Sequence, residues 1–415
     1  MPIRGNLTFP GDKSISHRAL MIGALTDGPC KITNLSTGLD VQSTRQCLED
    51  CGITIETFPE YTVVHGGEFK NPTYDLDCNN SGTTVRLLSG LLTGRGIRAN
   101  LVGDISLSNR PMNRIVNPLR SMGADIKANI GKLPLELYPN QLQGIQYSMP
   151  IPSAQVKSAI IFAALGASSP TIIHEPVPSR DHTERMLQSL GASIHNENGS
   201  ISINPSKNKL PSFDLNVPGD PSTAAFFATA AAIVPDSEII LKDISRNLTR
   251  IGFYKVLEMM GGKIEYMDEK IENGESSGTV IIRKTELHGV TIDGEMIPSL
   301  IDEIPLIAIL ATQAEGTTII KDAGDLRFKE SDRIHAIVTN LNRMGAIITE
   351  HENGFAITGR TKLKGCNIQT FGDHRIAMAF TIAGLISDGE VTVDDSNCVN
   401  ISFPEFHTKL REVVQ

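Results

Sequence analysis

The chain has 415 residues, of which 40% are hydrophobic and 20% charged, and its formal net charge is −9. That length accommodates two domains with sizeable cores. The negative balance argues against general nucleic-acid binding, while leaving room for a local basic pocket that takes an acidic small molecule.

The sequence opens directly into Ile3-Arg4-Gly5-Asn6-Leu7 with no apolar leader. This first strand, over residues 4–9, stops at Pro10-Gly11-Asp12 and could pair with either half of the chain. Gly11-Asp12-Lys13-Ser14-Ile15-Ser16-His17-Arg18 then opens a helix that continues through Ala19-Leu20-Met21-Ile22. A helix without a polar stripe is predicted to be buried. Similar openings follow at Asn80-Ser81-Gly82-Thr83-Thr84-Val85-Arg86, Ser153-Ala154-Gln155-Val156-Lys157-Ser158 and Pro218-Gly219-Asp220-Pro221-Ser222-Thr223. The last two are Asp302-Glu303-Ile304-Pro305 and Gly372-Asp373-His374-Arg375. A recurrence of about 70 residues marks repeated supersecondary units.

A second motif closes the other helix of each unit: Cys51-Gly52-Ile53, Met122-Gly123-Ala124, Leu190-Gly191-Ala192, Met260-Gly261-Gly262 and Met344-Gly345-Ala346. Each reads as a helix end with Gly just past it, then an alternating strand. The sixth copy falls near residues 406–410, where the chain stops. Each unit therefore reads as βαβαββ, which predicts an α/β (α+β) fold. The Pro/Gly-rich run Leu215-Asn216-Val217-Pro218-Gly219-Asp220-Pro221 reads as a crossing between two halves of three units each.

No uninterrupted apolar run reaches membrane-spanning length. Residues 300–312 are the most apolar window and carry Asp302, Glu303 and Pro305. The six cysteines form no CxxC pair; Cys47 and Cys51, one helical turn apart, read as a small buried pair, and a reducing compartment is expected.

The polar residues gather at the helix starts, where free backbone N–H groups and the helix dipole attract anions. Three parallel buried helices per domain would bring three positive ends to one surface. Two such surfaces facing each other would make an anion-attracting cleft. Lys13, Arg18, Arg86, Lys157, His374 and Arg375 stand at those starts. The loops Asn109-Arg110-Pro111-Met112-Asn113-Arg114, Ser179-Arg180-Asp181-His182 and Arg327-Phe328-Lys329-Glu330-Ser331-Asp332-Arg333 add further charge. Arginine forks suit phosphate and carboxylate.

The fifth unit differs, opening with Asp302-Glu303 where others place small or cationic groups. A carboxylate among cations stays ionised and can accept a proton from a substrate hydroxyl. Asp is also a favoured helix N-cap, so both roles are open. Glu330, between Lys329 and Arg333, is a second such carboxylate, or an i,i+3 ion pair.

Six of these segments together resemble the 5-enolpyruvylshikimate-3-phosphate synthase family: Gly11 to Arg18, Asn80 to Arg86, Arg110-Pro111-Met112, Ser153 to Ser158, Lys329 to Arg333, and Gly372 to Arg375. The likeness runs from Ile3 to Pro404, and the Ser153–Ser158 run is similar to the bacterial type II branch. The resemblance implies two inside-out α/β barrel domains, each of three βαβαββ repeats. One is residues 12–221. The other is discontinuous, 1–11 plus 222–415, and takes in the first strand. The active site would lie in the cleft between them.

The implied reaction moves the carboxyvinyl group of phosphoenolpyruvate to the 5-hydroxyl of shikimate 3-phosphate and releases phosphate, within aromatic amino-acid biosynthesis. The resemblance implies no metal and no organic cofactor, no nucleic-acid or membrane partner, a monomer, and a cytoplasmic location. It assigns catalysis to Asp302 as base, Glu330 as acid and Lys13 in proton transfer. Shikimate 3-phosphate would be held by Lys13, Ser14, Arg18, Ser153, Ala154, Gln155, Ser179, Arg180, Asp302, Asp325 and Lys329. Phosphoenolpyruvate would be held by Lys13, Gly82, Arg110, Gln155, Arg333 and Arg375, with His374 near it or structural. Room beside Gly82 also implies that glyphosate binds there.

Three positions depart from part of the family: Ala154 replaces a Ser, Asp325 an Asn, and Ile401 a Lys that contacts phosphoenolpyruvate, for which Lys157 or another cation would compensate. Two alternatives stand beside this one. A sister transferase acting on a UDP-amino sugar carries a catalytic Cys before its Arg-Pro, whereas residues 102–111 hold none. A non-catalytic repeat scaffold for phosphorylated ligands would have no need of Asp302 or Glu330.

Overall fold

The computed structural model describes residues 1–206 and 208–415. It divides into two compact units: Pro10–Val217 with Ile271–Glu275, and Met1–Phe9 with Pro218–Lys270 and Ser276–Gln415. One break, between Phe9 and Pro10, lies at the start of the Pro/Gly segment 10–12, and another, between Val217 and Pro218, lies inside 215–221. The short return at Ile271–Glu275, the tip of a hairpin between strands Lys263–Glu272 and Glu275–Arg283, had no sequence signature.

In the N-terminal unit three four-stranded sheets repeat one pattern, a parallel pair followed by two antiparallel pairings. The first runs Asp214–Asn216, Pro29–Thr33, Tyr61–His65, Thr54–Thr57. The second runs Leu76–Asp77, Ala99–Val102, Lys132–Tyr138, Asp125–Asn129. The third runs Gln146–Ser148, Thr171–His174, Ser200–Ile203, Ile194–Glu197. Asp214–Asn216, last in this part of the chain, closes the first sheet.

In the C-terminal unit the opening strand Arg4–Leu7 plays the equivalent part, pairing parallel with Glu238–Ser245. The next sheet runs Thr291–Ile292, Gly316–Ile320, Gly354–Gly359, Ile347–His351. The last has Asn367–Ile368 and Thr392–Val393, and the helix Phe406–Val413 follows it.

The six apolar helices form the centres of the two cores. Lys13–Gly23, Gly82–Gly94 and Ala154–Ala164 lie in one; Pro221–Ile233, Ile304–Gln313 and His374–Gly384 lie in the other. Every residue of Pro221–Ile233 is buried. Gly90 and Gly94 let two of these helices meet backbone to backbone, since a Cβ on Gly90 would sit 2.0 Å from the Ala159 carbonyl oxygen. The five predicted helix-ending glycines, Gly52, Gly123, Gly191, Gly261 and Gly345, have φ between +83° and +96°. That is the left-handed conformation glycine adopts without a Cβ penalty.

All six cysteines are free thiols, and Cys47, Cys51 and Cys78 are fully buried. The expected pair is a trio: a hydrogen bond with Cys47, aided by burial, pushes the Cys78 thiol well up, and burial pushes Cys51 to about 12. Among the described residues no helix is long and apolar enough to cross a membrane.

Candidate functional site

Five of the six buried helices begin with a side-chain cap. Asp12, Ser81, Ser153, Asp220 and Asp373 each accept a hydrogen bond from a backbone N–H of the first turn. The caps fix where each helix starts and therefore where its next few side chains point.

In the N-terminal unit, Lys13 Nζ is 2.9 Å from Asp40 Oδ2. Asp40 also ties this helix to the next, because its carbonyl accepts from Thr84 Oγ1 at 3.1 Å. Beside Thr84, Gly82 makes room for two guanidinium groups: a Cβ there would sit 3.3 Å from both Arg110 Nη1 and Arg86 Nη1. Arg110 Nη2 donates to Asn80 Oδ1 at 2.6 Å, and Arg86 donates to Gln155 Oε1. Gln155 Nε2 in turn donates to Thr83 Oγ1 at 3.0 Å. Lys13, Gly82, Arg110 and Gln155 thus belong to one connected set, joined by Arg86 and Asp40.

Arg18 is buried and donates to Thr183 Oγ1, the Ser14 carbonyl and Ser158 Oγ. Burial lowers its pKa to about 10, against the pull of Glu184, so it stays charged at neutral pH. Ser179 is likewise buried, its hydroxyl donating to Glu175 Oε1 at 2.5 Å. Ser153 caps its helix, with Ala154 and Gln155 in the first turn, and Arg180 is half-buried in the loop after Ser179.

Behind Lys13 a buried chain runs from His17 Nδ1 to Thr44 Oγ1 (2.6 Å) and on to Thr84 Oγ1 (2.7 Å) and Ser81 Oγ (2.7 Å). Burial pushes the His17 pKa down to about 3, so the ring is neutral.

Lys157 differs from the expectation that it joins the anion-attracting cations or substitutes for the Lys absent at Ile401. It is 1% exposed, and its ammonium is spent on Glu175, Glu184 and the Ser179 carbonyl at 2.8, 2.8 and 3.1 Å. Burial alone would discharge it, but Glu184 and Glu175 reverse that and raise its pKa. A buried, fully paired ammonium cannot also receive phosphoenolpyruvate.

In the C-terminal unit, the helix Ile304–Gln313 is the exception to the capping rule. Glu303 occupies the cap position and makes no side-chain cap bond. The Oδ1 of Asp302, one residue earlier, lies 3.4 Å from Lys329 Nζ and 3.3 Å from Arg333 Nη1. The carboxylate among cations expected from the sequence is formed. Arg375 Nη1 donates to the Asp302 carbonyl at 3.2 Å and lies 3.6 Å from Glu303 Oε1.

Arg333 is 1% exposed and gathers three carboxylates: Asp373 (2.7 Å from Nε), Glu330 (2.6 Å from Nη2) and Asp302. Burial opposes its charge, but these three outweigh burial and raise its pKa. Burial likewise opposes ionisation of Asp373, and Arg333 overcomes it, holding that carboxyl below the usual range. Glu330 makes the i,i+3 ion pair foreseen from sequence. Asp302, Lys329, Glu330, Arg333 and Arg375 are therefore brought together. Asp325 lies nearby in chain, in the 3-10 turn Gly324–Phe328, half-buried. His374 is buried in the first turn of its helix. Ile401 lies in the 3-10 turn Asn397–Ile401 and packs against the core.

Sequence reasoning missed several supporting groups. Asp40 carried no motif. Ser222, Arg250 and Glu303 form a buried cluster in which Glu303 Oε1 accepts from Ser222 Oγ and from Arg250 Nη1 at 3.3 Å. Arg250 also pairs with the cap residue Asp220 at 3.1 Å. The repeat-equivalent start at Asp220-Pro221-Ser222 was the available signal; Arg250 had none. Among the described residues, no cluster of three or more His, Cys, Asp or Glu side chains is arranged to hold a metal ion.

The family profile described as EPSP synthase (3-phosphoshikimate 1-carboxyvinyltransferase) matches residues 1–410. A curated 3-phosphoshikimate 1-carboxyvinyltransferase from Oceanobacillus iheyensis is 45% identical, covering 100% of this chain and 97% of its own. One from Listeria welshimeri is also 45% identical, covering 99% and 97%. Among solved structures, an EPSP synthase from Acinetobacter baumannii superposes with a TM-score of 0.88 at 39% identity, covering 99% of this chain and 96% of that one. The enolpyruvyl transferase NikO from Streptomyces tendae shares the fold, with a TM-score of 0.80 at 16% identity and coverage of 99% and 95%. With a full-length profile match, relatives at this identity and the shared two-domain enolpyruvyl transferase fold, the chain belongs to the EPSP synthase (3-phosphoshikimate 1-carboxyvinyltransferase) family.

Proposed function

We propose that the groups assembled at the helix starts of both units act together on one substrate pair. As a member of its family the protein is a transferase of the shikimate pathway, with shikimate 3-phosphate and phosphoenolpyruvate as substrates. It transfers the carboxyvinyl group to the 5-hydroxyl and releases phosphate. Between them the substrates carry two phosphates and two carboxylates, which accounts for the density of arginine and lysine at capped helix starts.

The reaction proceeds by addition and elimination. A proton adds to the methylene carbon of phosphoenolpyruvate, the adjacent carbon becomes electrophilic, and the 5-oxygen bonds to it as its own proton leaves. Loss of phosphate and of one methyl proton then restores the double bond. Atoms and charge balance with proton transfers alone. Asp302 takes the 5-hydroxyl proton, steadied by Lys329 and Arg333. Glu330 and Lys13 handle the proton at the methylene carbon. Glu330 sits 2.6 Å from the Arg333 guanidinium, which favours its ionised form, so it must first receive the proton it delivers.

Arg110 and Arg375, with Gly82, Gln155 and the charge of Arg333, hold phosphoenolpyruvate. Ser14, Arg18, Ser153, Ala154, Gln155, Ser179, Arg180, Asp325 and Lys329 hold shikimate 3-phosphate. With Lys157 committed elsewhere, Arg86 is the cation best placed to serve in place of the Lys absent at Ile401, since it stands beside Gly82 and Gln155. A cytoplasmic setting suits two phosphorylated, membrane-impermeant substrates.

The single observation that carries the assignment of Asp302 is its helix start. Of the six, this is the one whose cap residue, Glu303, makes no side-chain cap bond, and the carboxylate of Asp302 beside it meets two cations. A phosphate-binding scaffold has no use for that arrangement. The test is phosphate release with both substrates and with each omitted. Release that requires both, with a carboxyvinyl ether formed in equal amount, is the expected result. Release from phosphoenolpyruvate alone, or none, overturns the assignment.

A further inference from the structure

Lys157 belongs to a motif at a helix start, yet the reaction does not use it. Its ammonium donates to Glu175 and the Ser179 carbonyl and is ion-paired with Glu184, so its three partners span one loop and the helix that follows. Glu175 follows the strand Thr171–His174, Ser179 lies mid-loop, and Glu184 is in the first turn of the helix His182–Ser189. Lys157 and both carboxylates are at most 4% exposed. Glu175 divides its oxygens, Oε2 on Lys157 and Oε1 on the Ser179 hydroxyl. The loop needs such a pin. Pro176 and Pro178 lack the N–H that would tie it to a neighbour. Asp181, at the cap position of the following helix, makes no side-chain cap bond.

Glu184 is drawn on from a second side. Arg18, whose charge it supports, donates to Thr183 Oγ1 at 2.7 Å and to Ser158 Oγ at 2.8 Å, one residue along from Lys157. Arg18 is thus tied, through the neighbours of Glu184 and Lys157, to the buried cluster that ends on Ser179.

We propose that Lys157 is the positioning residue for recognition of the substrate's phosphate. Through Glu175, which already takes the Ser179 hydroxyl proton, and through the Ser179 carbonyl it fixes the path of the chain from Ser179 into Arg180, whose guanidinium supplies donors for the phosphate. This rests on the reading that Ser179 and Arg180 hold the phosphate of shikimate 3-phosphate. A lysine that served only the core would stabilise the unit without affecting phosphate discrimination.

The readout is the ratio of dissociation constants for shikimate and shikimate 3-phosphate, measured calorimetrically on the full chain. Lys157→Met leaves two buried carboxylates unpaired and risks the fold. The double variant Lys157→Gln/Glu184→Gln removes one positive and one negative charge, keeps hydrogen-bonding side chains at both positions, and serves as the second arm. Loss of an oriented hydrogen bond to a charged group lowers that ratio by roughly 10- to 100-fold. Shikimate affinity should move by less than about threefold, and Lys157→Arg should restore part of the ratio. A folded double variant with an unchanged ratio overturns the proposal. Ser179→Ala and Arg180→Ala form the control: if neither lowers the ratio, the phosphate lies elsewhere, and the underlying reading fails, taking the proposal with it.

Discussion

Replacing Asp302 by Asn changes one atom and separates the chemistry from the fold. The amide has the same shape, and its Oδ1 can still accept from Lys329 and Arg333, now at 3.4 and 3.3 Å. Arg375 is unaffected because it bonds the backbone carbonyl of this residue. Arg333 keeps Asp373 and Glu330. The ion pair with Lys329 is partly exposed, at 29% and 15%, and pairs of that kind contribute at most about 1 kcal/mol. Stability should therefore fall only slightly. What disappears is the proton acceptor. A positioned general base contributes about 10²- to 10⁴-fold, or roughly 2.7 to 5.4 kcal/mol of barrier. The assay is phosphate release at saturating shikimate 3-phosphate and phosphoenolpyruvate, with calorimetric binding of shikimate 3-phosphate as the control. The expected variant binds within about tenfold of the parent and turns over at least about 100-fold more slowly. A turnover number within about threefold of the parent would refute the assignment of Asp302 as the base.

Three further outcomes follow from the same geometry. Gly82→Ala places a methyl 3.3 Å from Arg110 Nη1 and Arg86 Nη1, so both guanidinium groups must shift by a few tenths of an ångström. Steady-state kinetics should show the KM for phosphoenolpyruvate rising roughly 10- to 100-fold, with glyphosate inhibition weakened in parallel; unchanged values for both would count against an anion at Gly82. Lys13→Met should lower turnover by about 10²- to 10⁴-fold in the same phosphate assay, while the protein stays folded by circular dichroism. His17 supplies a pH test. Its folded pKa is depressed to about 3 from 6.5 by burial, so its contribution is present above pH 6.5 and is lost as the unfolded chain takes up the proton below it. Between pH 7 and pH 5.5 that loss is roughly 1.2 kcal/mol. Urea midpoints at the two pH values should converge for His17→Gln relative to the parent, and an equal drop in both proteins would show that His17 is not the group responsible.

The repeat was legible because its signals are local. A glycine past a helix end, a cap residue and an apolar helix each depend on neighbours within a turn or two. The buried helices and all five left-handed glycines follow from such short-range rules. The site was legible only as far as its residues stood at those starts. What escaped was partnership across long separations: Arg333 with Asp373, Arg250 with Glu303, Lys13 with Asp40. Lys157 shows the cost of reading charge without burial. A cation inside a helix with no polar stripe has to be paired, and that inference was available from the apolar run Ala159-Ile160-Ile161-Phe162 around it. Which carboxylates pair with it was not available. The first strand could not be placed by composition either, since its partner, Glu238–Ser245, lies more than half the chain away.

The most direct test of the central claim is a crystal structure of the protein with shikimate 3-phosphate and an unreactive phosphoenolpyruvate analogue. Lys13 and Asp302, from different units, should both contact one bound shikimate 3-phosphate, and Arg110 and Arg375 should both contact the analogue. Ligands held by residues of one unit alone would contradict it.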